Sequence, residues 1–90
     1  MRVLWTFTAW REYVDWQRID TDAVSKINSL IEDIRRDPVG KGIGKPERLT
    51  GLLNGWSSRR ITREHRFVYR VLGAGEQQTI EITIYCKGHY

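Results

Sequence analysis

The sequence predicts an α+β fold in which two N-terminal helices pack on one face of a mainly antiparallel sheet of four to five strands. Three observations predict it. Apolar residues recur at helical spacing through the first third of the chain and alternate in the last third. Five of the eight glycines and both prolines fall in positions 38–55, so a loop separates the helical part from the strand part. Three segments rich in β-branched and aromatic residues then follow one another, with turn formers between them. Ninety residues suffice for one domain, 1–90, with a modest core.

Residues 2–7 alternate and carry β-branched and aromatic types, which predicts a first strand. Thr8 then offers an N-cap for a helix carrying Trp10, Tyr13 and Val14 and running to about Arg18. Asp20 or Thr21 caps a second helix, with Val24, Ile27, Leu30, Ile31 and Ile34 as its apolar stripe. Arg35 and Arg36 complement the dipole of its last turn, and Pro38 ends it. The loop that follows holds a short strand near Glu47 to Leu49. Three longer strands are predicted over Trp56–Thr62, Arg66–Leu72 and Thr79–Lys87, with a turn at Gly73-Ala74-Gly75.

Strand parity gives the sheet two faces. Ile80, Ile82, Ile84 and Cys86 share one with Phe67, Tyr69 and Val71, and this face meets the helices. Thr79, Glu81, Thr83 and Tyr85 lie opposite, with Arg66, Val68 and Arg70; Ser58, Arg60 and Thr62 join them from the preceding strand. The polar face leads towards His89 and Tyr90. Trp5, Trp10, Tyr13 and Trp16 belong to the core and its margins.

Several function classes fall away on composition. No apolar run approaches the roughly 18 residues of a membrane span, and no signal-peptide pattern follows Met1. One cysteine, Cys86, allows no internal disulfide and no cysteine-rich metal site, which points to a reducing, cytoplasmic compartment. Two separated histidines add no metal-ligand spacing, so no metal and no cofactor are expected. Residues 40–45 imitate a phosphate loop, but Pro46 follows the lysine where Ser or Thr is needed, and a helix precedes. The net charge of +4 is unevenly spread. Residues 1–37 hold six basic and seven acidic side chains, and the remainder holds nine and four. A basic half with interleaved aromatics suits nucleic acid, and equally a solvated basic surface.

The candidate chemistry lies in that basic half. Arg59, Arg60, Arg66 and Arg70 fall on adjacent predicted strands, and a guanidinium fork matches phosphate oxygens. The alternative is pairing with Glu64, Glu81 or water. Glu47 is an isolated acid after Lys45-Pro46, either a base or an ordinary surface carboxylate; Pro46 biases Lys45 towards an extended backbone. His89, with an ordinary pKa of about 6.5, suits a general acid. Otherwise His89-Tyr90 is a tail, or Tyr90 packs on the core. His65 fits a structural hydrogen bond better than catalysis.

The chain resembles the YoeB branch of the RelE toxin superfamily over essentially its full length. The residues that carry the resemblance are Trp5 and Trp10, Tyr13-x-x-Trp16-Gln17, Lys26-Ile27-Asn28 with Leu30-Ile31, and Arg35-Arg36 before Pro38. They continue with Gly44-Lys45-Pro46-Glu47, Ser58-Arg59-Arg60-Ile61-Thr62, Glu64-His65-Arg66 with Val68-Tyr69, and His89-Tyr90. The resemblance implies a RelE-like, microbial-RNase-like fold and a toxin that cleaves mRNA in the ribosomal A site without metal. It implies Glu47 as general base, His89 as general acid, Arg66 at the transition state, Arg60 on phosphate, and Tyr90 positioning RNA. Family members commonly carry a substrate-binding lysine where this chain has Thr50; Lys45 or Arg48 can substitute. The resemblance also implies a homodimer and a small acidic antitoxin of the YefM kind. Two other classes compete: a non-nucleolytic ParE-like toxin binding DNA gyrase, which needs no acid–base set, and a plain basic RNA-binding module.

Overall fold

The computed structural model describes residues 1–38 and 42–86. Strand β1 (Arg2–Trp5) leads into helices α1 (Phe7–Ile19) and α2 (Thr21–Arg36), followed by strands β2 (Glu47–Arg48), β3 (Ser57–Arg60), β4 (His65–Leu72) and β5 (Thr79–Cys86). Short 3₁₀ turns cover Gly51–Leu53 and Gly75–Gln77. The five strands form one sheet in the order β1-β5-β4-β3-β2. Every pairing is antiparallel except that of β1, which runs parallel to β5 with Val3 opposite Ile80 and Trp5 opposite Ile82. Two helices on a mainly antiparallel sheet is the architecture predicted from the sequence. Among the described residues no helix is long and apolar enough to cross a membrane.

Local chemistry sets the boundaries. The first helix begins at Phe7 because Thr6, not Thr8, is its cap: the Thr6 hydroxyl accepts the Ala9 N–H at 3.2 Å. The first strand therefore stops at Trp5, short of the predicted Phe7. Asp20 closes one helix and opens the next. Its N–H donates to the Trp16 carbonyl, and its carboxylate accepts the Ala23 N–H at 3.1 Å. The third predicted strand ends at Arg60 rather than Thr62, since the Thr62 hydroxyl accepts the N–H groups of Glu64 and His65 and turns the chain. The predicted end of the last strand, Lys87, lies outside the described residues.

The core lies between the helices and one sheet face. Ile27, Leu30 and Ile34 of α2 are fully buried, as the helical stripe requires. With Ala9 and Trp16 of α1 they meet Phe67 and Tyr69 of β4 and Ile80, Ile82 and Ile84 of β5. Trp5 and Tyr13 pack at the margin with ring centroids 4.8 Å apart, whereas Trp10 is half exposed. The helices thus cover β4 and β5 from one side, and residues of opposite parity are left to build the other face.

Candidate active site

Strand register brings three of the predicted site residues, Glu47, Arg60 and Arg66, to the face away from the helices. Glu47 stands opposite Ser58, which stands opposite Val68, which stands opposite Thr83. Two residues along, Arg60 stands opposite Arg66, which stands opposite Tyr85. Directly opposed side chains have Cβ atoms about 4.5–5.5 Å apart, and diagonal neighbours such as Glu47 and Arg60 lie about 7–8 Å apart. Two like charges directly opposed destabilise a sheet unless an anion sits between them. Neither Arg60 nor Arg66 pairs with a carboxylate among the described residues. Arg60 is exposed and Arg66 is buried.

Arg66 is buried as a cation because carbonyl dipoles replace its hydration. Its Nη1 donates to the carbonyls of Thr62 at 3.1 Å, Arg63 at 3.2 Å and His65 at 3.1 Å. Among the described residues its Nε and Nη2 make no hydrogen bond, which leaves one edge of the fork for a ligand. His65 serves the same turn. Its Nδ1 lies 3.1 Å from the Thr62 hydroxyl, and its ring meets Trp16 edge-on at 5.1 Å. This is the structural role predicted for it.

The loop before β2 aims Glu47. Gly44 has a φ of 81° and Lys45 a φ of 52°, a left-handed conformation that a lysine seldom adopts. The extended backbone expected for Lys45 ahead of Pro46 is therefore overturned. The Arg60 N–H donates to the Gly44 carbonyl at 2.7 Å and holds the bend against β3. Lys45, Glu47 and Thr50 are all exposed. Glu47 and Thr50 line an open groove of about 580 Å³ with Pro46, Trp56, Tyr69 and Arg70. Neither Arg60 nor Arg66 lines that groove, so the arginine pair and the groove meet at Glu47.

Two of the four arginines read as phosphate ligands are engaged elsewhere. Arg59 is fully buried and lies on the helix-covered face, because its partner in register is Phe67. Its Nε donates to the Tyr69 hydroxyl at 3.1 Å, and its Nη1 donates to Asp33 of α2 and to the Ile43 carbonyl. Burial opposes its charge, yet the hydrogen bonds with Tyr69 and Asp33 raise its pKa; that with Arg59 holds the Asp33 carboxyl below its ordinary range. Arg59 is thus no substrate ligand. Strand alternation carried the signal, since it puts Arg59 opposite in sense to Ser58 and Arg60. Arg70 does lie on the polar face, but Glu81 pairs with it at 3.1 Å and Trp56 stacks 4.7 Å from its guanidinium carbon. His89 and Tyr90 lie outside the described residues. No group of three or more His, Cys, Asp or Glu among the described residues could hold a metal ion.

The arrangement offers a carboxylate and an unneutralised arginine pair on one face, with a groove alongside. Residues 5–90 match the family model described as the YoeB-like toxin of bacterial type II toxin-antitoxin systems. The toxin YoeB of Escherichia coli strain K12 is 51% identical over 71 residues, 79% of this chain and 83% of that protein. The structure titled YoeB/ParE toxin from Agrobacterium tumefaciens superposes with a TM-score of 0.88 at 50% identity, covering 100% of both chains. A Staphylococcus aureus YoeB, solved as a heterotetrameric complex with YefM, gives a TM-score of 0.81 at 40% identity over 100% of this chain and 98% of that one, and has also been solved as a YoeB dimer. The chain belongs to the YoeB-like toxin family of bacterial type II toxin-antitoxin systems.

Proposed function

We propose that this toxin is a ribosome-dependent endoribonuclease that cleaves mRNA in the ribosomal A site by metal-independent acid–base transesterification. Glu47 takes the proton of a ribose 2′-OH. The 2′-oxygen bonds to the adjacent phosphorus, the bond from phosphorus to the 5′-oxygen breaks, and His89 protonates that leaving oxygen. The products are a 2′,3′-cyclic phosphate and a 5′-hydroxyl. The free edge of Arg66, with Arg60 opposite, meets the charge that develops on the phosphoryl oxygens. Tyr90 positions the RNA, and Lys45 and Thr50 contact it beside Glu47.

The observation that carries the reading is the opposed Arg60–Arg66 pair on the face shared with Glu47, with no carboxylate on either guanidinium among the described residues. A protein that only binds has no need of a base beside two unneutralised arginines. By the same reading the chain is a single domain acting in the cytoplasm, a homodimer when free, and neutralised by an acidic YefM-like antitoxin. The solved S. aureus dimer and YoeB–YefM complex support those partners, as does the apolar Phe7, Trp10 and Val14 stripe exposed on α1.

Mapping of cut sites on a defined mRNA, with and without purified ribosomes, tests the proposal. Cuts confined to the A-site codon, ending in cyclic phosphate and dependent on ribosomes, are expected. Intact mRNA on ribosomes together with salt-sensitive binding would instead identify a plain RNA-binding module.

A further inference from the structure

The Asp33–Arg59 ion pair beneath the sheet, with Arg59 buried and Asp33 partly exposed, lies on the face opposite the proposed chemistry, yet its bonds converge on the backbone of one residue, Ile43, in the loop leading to Glu47. Asp33 accepts the Ile43 N–H at 3.3 Å through the same oxygen that receives Arg59. Arg59 in turn donates to the Ile43 carbonyl at 3.3 Å. Both polar groups of Ile43 are therefore held by one ion pair, which joins the last turn of α2 to β3. Tyr69 fixes the guanidinium from β4. The flanking glycines fit only because they lack side chains. A Cβ on Gly42 would sit 1.5 Å from Asp33 Oδ2, and one on Gly44 would sit 2.8 Å from a Leu30 methyl. Past this point the chain has three residues, including the left-handed Lys45, in which to reach Glu47.

We infer that the Asp33–Arg59 pair is a positioning device for Glu47, fixing the 42–46 loop so that the carboxylate is presented on the polar face. The inference rests on the proposed role of Glu47 as base. A burial-only role for Arg59 would need one partner; binding both groups of Ile43 ties the pair to this loop. An ion pair with one partner buried is weak evidence for stability, since desolvation of the buried guanidinium offsets much of the attraction. Its geometric effect is direct, because misplacing a catalytic group by about 1 Å can cost about 10²-fold in rate.

The test is a double-mutant cycle in single-turnover cleavage of ribosome-bound mRNA at saturating toxin, with ribosome affinity measured separately. Arg59→Met should lower the rate about 10- to 100-fold and leave affinity within about threefold. In a Glu47→Ala background it should cost no further rate, because the group it positions is gone. Asp33→Asn, which keeps the shape and loses the charge, should act in the same direction. It serves in place of Arg59→Met should that variant fail to fold. In the folded Asp33→Asn protein the Ile43 amide should exchange faster than in the unmutated protein, while those of β4 keep their protection. Equal losses in both backgrounds, or wild-type rates in both single variants, would overturn the positioning role. A wild-type rate in Glu47→Ala would overturn the base assignment instead, and so separates the two failures.

Discussion

Replacing Arg66 by lysine separates charge from geometry at the proposed transition state. In the native protein Nη1 is shared among three backbone carbonyls, while Nε and Nη2 make no hydrogen bond among the described residues. An ammonium has three donors and no second nitrogen. It can satisfy the three carbonyls of the 62–65 turn or reach outward to a phosphate, but not both. Native-like stability is therefore expected, within about 1 kcal/mol, because the buried charge keeps its carbonyl partners. The chemical step should behave like the loss of a preorganised oxyanion donor, about 2.7–4 kcal/mol, or about 10²–10³ in rate. Single-turnover cleavage on ribosome-bound mRNA gives the rate, and chemical denaturation of the same sample gives the stability. Full rate in Arg66→Lys would refute the reasoning, since it would show that a point charge suffices. A large loss of stability would refute the carbonyl account of how the cation is buried.

Other outcomes follow from the same geometry. His89→Ala should cleave about 10²–10⁴-fold more slowly with an unchanged circular dichroism spectrum, as loss of a general acid requires. Cleavage should persist when cobalt hexammine replaces magnesium to hold ribosomes together; a strict need for a directly coordinated ion would contradict the metal-free step. Ile27→Ala should lose about 2–5 kcal/mol in urea denaturation, because a fully buried side chain is removed from the centre of α2. Asp33 has its pKa lowered on folding, chiefly by the Arg59 hydrogen bond, so its stabilisation is complete above its ordinary 3.8 and fades as pH falls through the lower folded value. Acid titration of wild type and Asp33→Asn should accordingly diverge above that value and converge below it; parallel curves throughout would count against the clamp.

The helical stripe and the strands were legible because both signals are local. Ile27, Leu30 and Ile34 repeat at turns of one helix, and all three are buried. Ile80, Ile82 and Ile84 alternate, and all three enter the core. Alternation along β3 set Ser58 and Arg60 apart from Arg59, but Ser57-Ser58-Arg59-Arg60 contains no apolar residue to show that the Arg59 side is buried. Its orientation comes from pairing with β4, where Arg59 meets Phe67, and that contact is not local. Thr6 and Thr8 compete as caps two residues apart, and only the hydroxyl's reach to Ala9 decides between them. The Asp33 partnership was invisible for a similar reason: a helix acid and a strand arginine 26 residues apart share no sequence pattern. The Arg70–Glu81 pair was the more accessible case, since strand parity had already put both on one face.

The parallel pairing of β1 with β5 has a consequence for how the protein comes into being. β5 lies between the first-made strand and β4, near the centre of the sheet, yet it is the last strand to be synthesised among those described. A nascent chain that has produced β1, both helices and β2 through β4 still lacks the strand against which Ile27 and Leu30 must pack and to which β1 must bond. Such long-range closure is slow compared with local contacts. The five-stranded sheet therefore closes only after Thr79–Cys86 has left the ribosome, and the β3–β4 pair that carries Arg60 and Arg66 gains its neighbour on the other side at that point.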